Sequence, residues 1–375
     1  MKHLFALLAA TAPALLLPAT AVQAQTAPAD SAATAVTQPT NPFTVYGFVD
    51  AYYGYDFRHA AGNERPGFLF SHNRQNEFTV NQGLIGLRYD NDQVRGEVGL
   101  HAGTYPSANY APEDPIIRNI YQAYAGFRPF RKAWIDAGIF SSHIGIESAL
   151  SKNNWTLTRS LAAEGSPYYE AGARFTYEVA PQLTLTGLVL NGWQNIRETN
   201  QAKALGTQIQ WQATDKLLIN SSTFYGNEQP EGLQRRRRYF HDFYARYAAS
   251  DRLSLALVFD VGKQERPEQG ARADTWYTGT ALARLQLTEK WRLGGRLEYF
   301  SADHGVASLN TTPTLTDPDF KVRAGSLNLD YLPTSHVAVR VEGRLFNSGH
   351  AFLTDRNGRP TNSYGNLTSS IALSF

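Results

Sequence analysis

From Phe43 onward, apolar and polar positions alternate with a period of two along most of the chain. In FTVYGFVDAYYGYDF (43–57), Phe43, Val45, Val49, Ala51, Tyr53, Tyr55 and Phe57 fall on one side, against Thr44, Tyr46, Asp50, Tyr52 and Asp56. In DRLSLALVFDVGK (251–263), Leu253, Leu255, Leu257, Phe259 and Val261 oppose Arg252, Ser254, Asp260 and Gly262. SHVAVRVEGRLF (335–346) sets Val337, Val339, Val341 and Leu345 against His336, Arg340, Glu342 and Arg344. Successive side chains of a strand point to opposite faces, so each segment predicts a strand with one apolar and one polar face.

The connections sort by length. Short turns fall at 89–93, 128–132, 179–182, 213–216, 249–252, 287–290 and 332–335. Long, polar or irregular segments alternate with them, near 58–75, 105–118, 141–168, 194–203, 227–237, 264–273, 303–319 and 348–362. Seven short and eight long connections imply about sixteen antiparallel strands. A soluble sandwich has no reason to put its short turns at one end. A transmembrane antiparallel β-barrel does, with short periplasmic turns and long external loops, and it must close because lipid cannot satisfy the backbone of an edge strand. The fold predicted for 43–375 is therefore an all-β outer-membrane barrel. Its last strand, NLTSSIALSF, turns Leu367, Ile371, Leu373 and Phe375 outward, which places the Phe375 ring at the membrane interface as an anchor.

Composition supports this picture. Twenty Tyr, twenty Phe and six Trp accompany a mean hydropathy of −0.37. Aromatic girdles combined with a polar lumen give that pairing. Residues 1–24 have a basic start, a proline-broken apolar run and small residues before Ala24, which predicts a cleaved export signal. Residues 25–42 are Ala/Thr/Pro-rich and read as a flexible linker. The chain lacks cysteine, so thiol catalysis and thiolate metal sites are excluded. Its 35 basic residues against 33 acidic ones do not suggest a nucleic-acid binder.

With the apolar faces outward, the lumen inherits the charges. Asp50, Arg95, Glu97, Arg174, Arg292, Arg296, Arg340 and Arg344 are the candidate pore lining, within a set of ten inward acids and ten inward bases. Such residues either stiffen the wall as cross-strand ion pairs or impose a field on water and solutes. The four arginines Arg292, Arg296, Arg340 and Arg344 should lie close together and could favour anions locally. The longest loop, 141–170, contains TRSLAAEG, a short helical turn stopped by Gly165. Glu147, Lys152, Trp155, Arg159 and Glu164 are its constriction candidates if it folds into the pore; the other reading is an external lid. Arg235, Arg236 and Arg237 in RRRRYF sit at the outer end and suit anionic lipid headgroups. Tyr52, Tyr53, Tyr55, Trp155, Trp193, Tyr168 and Tyr169 read first as interfacial girdle and second as a sugar-binding surface. No G-x-S-x-G, H-E-x-x-H or P-loop occurs, and the nine histidines lack ligand spacing, so no catalytic residue, metal or cofactor is expected.

Several stretches together resemble the OmpL-like outer-membrane porins, the second family of β-barrel porins. They are YGFVDAYYGYDF, NERPGFLFSHNRQNEF, HAGTYPSANYAPED, RNIYQAYAGFR, WIDAGIFSSHIGIESALSKNNWTLTRSLAAEGSPYYEAGA and LNGWQNI. The resemblance implies a passive outer-membrane pore and supplies no catalytic residues. The function expected is diffusion of ions and small hydrophilic solutes. The alternatives are a sugar- or oligosaccharide-selective channel and a closed barrel acting as adhesin or scaffold. The expected partners are outer-membrane lipid and lipopolysaccharide, the barrel-insertion machinery and small hydrophilic solutes; a homo-oligomer is compatible with that setting.

Overall fold

The computed structural model describes residues 41–58, 62–266, 272–305 and 319–375. The export signal and nearly all of the linker read from the sequence lie outside the described residues.

Sixteen strands form one closed antiparallel barrel. In chain order they are β1 (Phe43–Asp56), β2 (Phe78–Asp90), β3 (Val94–Ala102), β4 (Ile120–Phe127), β5 (Ala133–Ser141), β6 (Tyr169–Ala180), β7 (Leu183–Leu190), β8 (Ala204–Thr214), β9 (Leu217–Asn227), β10 (Arg237–Ala248), β11 (Leu253–Gln264), β12 (Asp274–Gln286), β13 (Trp291–Ala302), β14 (Phe320–Tyr331), β15 (Val337–Ser348) and β16 (Ser363–Ser374). Each strand pairs with its neighbour in sequence, and β1 pairs with β16 to close the ring, with Phe48 opposite Ser374 and Asp56 opposite Asn366. Closure leaves no edge strand facing lipid. The seam continues one residue further: Gly47 N donates to Phe375 O at 2.9 Å and Phe375 N to Gly47 O at 3.1 Å.

The outward face is the apolar one. Leu257, Leu297, Leu327 and Leu345 are 64, 71, 67 and 68% exposed, as a lipid-contacting wall requires. Aromatic pairs mark both rims. Phe43–Tyr89 and Trp291–Tyr331 sit at the short-turn end, and Tyr53–Phe78 and Tyr277–Tyr299 at the long-loop end.

The interior departs from a wholly polar lumen. Inward-facing Phe140, Leu190, Phe224, Phe240, Trp276, Phe300 and Phe346 form a buried apolar layer in the outer half, packed with Leu69, Ile144, Leu161 and Trp193 from the loops. Among the described residues two short α-helices lie in loops: α1 (Thr104–Asn109), which the sequence reading did not include, and α2 (Leu161–Glu164), whose N-cap is Ser160 and whose C-cap is Gly165, the stop read in TRSLAAEG. A two-stranded hairpin, Leu353–Thr354 with Pro360–Thr361, lies between β15 and β16.

Candidate functional site: a lumen filled by the long loop

The connection between β5 and β6 (142–168) is a plug. Every residue from Asn154 to Ala171 is buried. At its deepest point Lys152 Nζ donates to Ser335 O at 2.7 Å and also to Ser374 Oγ. Ser335 lies in the short turn before β15, so the loop reaches from the outer rim to the periplasmic end. Of the two readings of this loop, the structure takes the inward one.

The wall arginines hold it there. Arg340 Nη1 donates to Ser151 O at 2.5 Å and its Nη2 to Asn154 O at 3.1 Å, while its Nε reaches Asp330 at 2.7 Å. Arg296 donates to Thr158 O at 2.6 Å, Thr156 Oγ1 at 2.9 Å and Glu342 at 3.0 Å. Arg344 donates to Arg159 O at 2.9 Å and Glu298 at 2.7 Å. The acids answer the loop's N–H groups: Glu342 accepts from Thr158 N and Glu298 from Leu161 N, both at 2.5 Å. A non-repetitive segment inside a barrel has no ladder of its own, so its backbone groups need these side chains. The wall also makes steric room. At Gly294 an added Cβ would approach Trp155 O to 2.2 Å, so the loop backbone lies directly on this strand.

The site residues expected from the sequence divide accordingly. Arg296, Arg340 and Arg344 point inward but do not line water; they are 2, 1 and 2% exposed and are consumed as loop anchors. Asp50 is likewise buried, accepting from Ser151 Oγ at 2.7 Å and lying 2.9 Å from His72 Nε2. Of the loop candidates, Glu147, Arg159 and Glu164 face protein rather than a channel. Glu147 accepts from Ser160 N and Oγ. Arg159 sits between the Tyr105 and Tyr168 rings at 3.9 and 3.8 Å from their centroids. Glu164 takes the N–H groups of Phe70 and Ser71, tying the first external loop to the third. The girdle reading of Tyr52, Trp155, Trp193, Tyr168 and Tyr169 is also corrected, because all five are buried inside the barrel; Tyr53 and Tyr55 do belong to the outer rim. Alternation alone could not separate the two groups, since three of the five lie on loop segments without a strand period.

Burial sets the loop's own acids. It pushes the Glu147 and Glu164 carboxyls above their ordinary value, and this outweighs the opposing pull of Arg296 on the first and Arg159 on the second. Burial alone would depress His143, but Glu170 at 2.9 Å and the Thr223 carbonyl at 2.9 Å more than offset it and hold the imidazole above its usual value. With an acceptor at each ring nitrogen, the charged form is the one that suits both.

Beside the inserted loop, the inward wall of the periplasmic half carries partly exposed charges in two sectors. On the β2–β6 side the charges are paired: Arg88 with Glu97 at 3.1 Å, and Arg95 and Arg174 with Asp136 at 2.6 and 2.8 Å. On the β10–β13 side, partly exposed Arg246 and Arg284 flank the buried loop residue Trp155, and partly exposed Arg292 lies on the neighbouring strand beside Arg284. The first two guanidiniums lie 5.5 and 5.1 Å from its ring centroid. Arg292 donates to Gln286 at 2.8 Å, and Asp330, directly across from it, is instead engaged by Arg340. Among the described residues none of these three forms a salt bridge with a carboxylate. Arg292 was expected here. Arg246 and Arg284 belong to the ten inward bases read from the sequence, which does not group them with Arg292; the signal for the grouping is an inward position near a short turn, at the same depth as Arg292.

Arg235 and Arg237 are exposed at the outer end of β10, Arg236 is half-buried, and Arg238 turns in, 5.1 Å from the Trp193 ring centroid. The Phe375 ring lies over Gly47, where a Cβ would come within 2.2 Å of it.

A closed sixteen-stranded barrel with a lipid-facing apolar wall, two aromatic rims and an inward loop defines a membrane pore protein of the porin class. Residues 42–375 match the family described as "Putative beta-barrel porin-2, OmpL-like", and the chain belongs to it. It is an outer-membrane porin, a route for passive diffusion. Similar solved structures share the fold. The anion-selective porin from Comamonas acidovorans is 10% identical with a TM-score of 0.61, covering 89% of this chain and 99% of its own. The outer membrane channel DcaP of Acinetobacter baumannii is 14% identical with a TM-score of 0.61, covering 89 and 97%. OmpT of Vibrio cholerae is 9% identical with a TM-score of 0.57, covering 89 and 97%. No curated protein is similar enough to match.

Proposed function

We propose that this porin passes small anionic and neutral hydrophilic solutes, with anions favoured by the Arg246–Arg284–Arg292 surface and the flux limited by the long loop. The observation that carries this is the contrast between the two sectors. Arg88, Arg95 and Arg174 have carboxylates within 3.1 Å, whereas Arg246, Arg284 and Arg292 form no salt bridge with a carboxylate among the described residues. An unpaired cationic surface at a constriction concentrates anions and repels cations. Burial of Trp155, Trp193, Tyr168 and Tyr169 leaves those rings no open face for a sugar, which weakens the carbohydrate-selective alternative. The test is the reversal potential of the folded protein in a planar bilayer under a salt gradient. Anion preference should fall in the triple variant Arg246→Gln/Arg284→Gln/Arg292→Gln, and cation preference in the parent protein would sink the reading.

A second reading has its own support. The buried run from Asn154 to Ala171 and the apolar layer above it suit a barrel that stays shut and works through its loops as adhesin or scaffold. Absence of current from verified folded barrel would favour it. The further setting we infer is export by the leader at 1–24, insertion guided by the strand ending at Phe375, and contact of Arg235, Arg236 and Arg237 with lipopolysaccharide. Assembly of copies is part of the same reading, since OmpT of Vibrio cholerae also has a structure described as a trimer form.

A further inference from the structure

The last external loop builds a cleft against the outside of the barrel. Its hairpin, Leu353–Thr354 with Pro360–Thr361, stands at the outer ends of β15, β16 and β1. Beside it is a cavity of about 730 Å³ whose lining includes Phe57, Arg58, Leu345, Asp355, Arg356 and Tyr364.

The floor of this cleft is apolar and faces the bilayer. Leu345 is 68% and Phe57 57% exposed. Both lie over Gly365, where an added Cβ would meet Leu345 Cδ2 at 2.9 Å and Phe57 Cδ2 at 3.2 Å, so the missing side chain shapes the floor. The upper wall is cationic. Arg58 is held in place by donation from Nη1 to Thr354 O at 2.9 Å and lies 5.9 Å from the Tyr364 ring centroid. Its Nε is shielded from solvent and, among the described residues, has no acceptor. Arg356 projects, exposed, from the hairpin tip. The one carboxylate among the described lining residues, Asp355, is satisfied within its own turn, accepting from Asn357 N at 2.8 Å and Arg359 N at 2.9 Å.

We propose that this cleft binds a phosphorylated lipid of the outer leaflet, with a phosphate between Arg58 and Arg356 and an acyl chain along Phe57 and Leu345 over Gly365. An apolar floor open to lipid and a pair of guanidiniums above it match the two halves of such a molecule. A free anion would leave the floor unused, and an uncharged lipid would leave the guanidiniums without a counter-ion. The cleft lies across the barrel from Arg235–Arg237 and does not depend on whether the pore conducts.

The test titrates detergent-folded protein with bis-phosphorylated lipid A, with the same lipid stripped of its phosphates, and with inorganic phosphate, reading bound lipid per barrel by native mass spectrometry. The tightest bound molecule should be the phosphorylated lipid. Arg58→Gln/Arg356→Gln should weaken it roughly tenfold, the loss expected for charge-assisted hydrogen bonds. Gly365→Leu, which fills the floor and leaves both arginines, should weaken it as well, with heat-modifiable mobility reporting that each variant is folded. Unchanged affinity in the arginine variant overturns the proposal. Equal affinity for the dephosphorylated lipid reduces the cleft to a greasy surface, and equal affinity for inorganic phosphate reduces it to an anion site; either result also overturns it.

Discussion

The Glu298 carboxylate accepts the backbone N–H of Leu161 at 2.5 Å, so a strand in the barrel wall caps the first residue of the loop helix inside it. The same carboxylate receives Arg344 at 2.7 Å. Wall and loop thus share one buried network, in which each member satisfies a group that another would leave exposed to low dielectric. Removing one partner of such a network typically costs about 3–5 kcal/mol, because the remaining charge is left uncompensated.

Glu298→Ala should therefore loosen the loop without opening the strand ladder. Single-channel conductance should rise, and protease should cut within 142–168 faster than in the parent protein. Conductance identical to that of the parent, with the loop demonstrably cut or mobile, would mean that the loop does not limit flux.

Gly294→Val acts on the same contact sterically. The new side chain occupies the place where the Trp155 carbonyl now lies, 2.2 Å from an ideal Cβ. Overpacking of this kind costs about 1–3 kcal/mol. The expected outcome is a displaced Trp155, read as a red shift and greater quenching in a protein whose other tryptophans are replaced by Phe. An unshifted spectrum would place the indole elsewhere.

Acid should tighten the plug. His143 is held above its ordinary value, so its contribution is complete below the unfolded value and is lost as pH rises through the folded one. Glu147 and Glu164 are raised carboxyls, and their neutral forms stabilise the packed loop below the ordinary value near 4.5, with that contribution lost as pH climbs through their raised values. All three act in one direction. Conductance should fall as pH is lowered from above the ordinary imidazole range toward the ordinary carboxylate range, as these groups take up protons, and Glu147→Gln/Glu164→Gln should flatten the acid part of the curve. A current that grows on acidification would contradict the assignment.

At the seam, Phe375→Ser removes the ring that covers Gly47, and Gly47→Val removes its seat. Each should lower the yield of heat-modifiable folded barrel in the membrane while leaving export intact. If Gly47→Val assembles normally, the ring packing is not what the terminal residue contributes.

Much of this protein was legible in one dimension. The period of two located the strands, and the alternation of short and long connections oriented them. The turn RPFRK (128–132) is the connection between β4 and β5, and TRSLAAEG contains α2 with Ser160 and Gly165 at its ends. These features are local, set by side-chain alternation and by capping chemistry a few residues apart. The site was legible only in part. Arg292, Arg296, Arg340 and Arg344 share an inward face in the sequence, and the structure splits them: the last three bind the loop, and Arg292 joins Arg246 and Arg284 on the β10–β13 wall.

What the sequence by itself determined is the barrel: strand number, the lipid-facing side of each strand, the end bearing the long loops and the outward ring at Phe375. Lipid imposes a rule on every residue pair, and a rule with a short period can be read from a chain. What only the tertiary structure decided is the state of the lumen. Ser151 meets Asp50 and Thr158 meets Glu342 across separations of 101 and 184 residues, contacts that no periodicity encodes. Whether an arginine faces water or a loop carbonyl depends on the path of that loop, and the path is fixed by the sum of those distant hydrogen bonds.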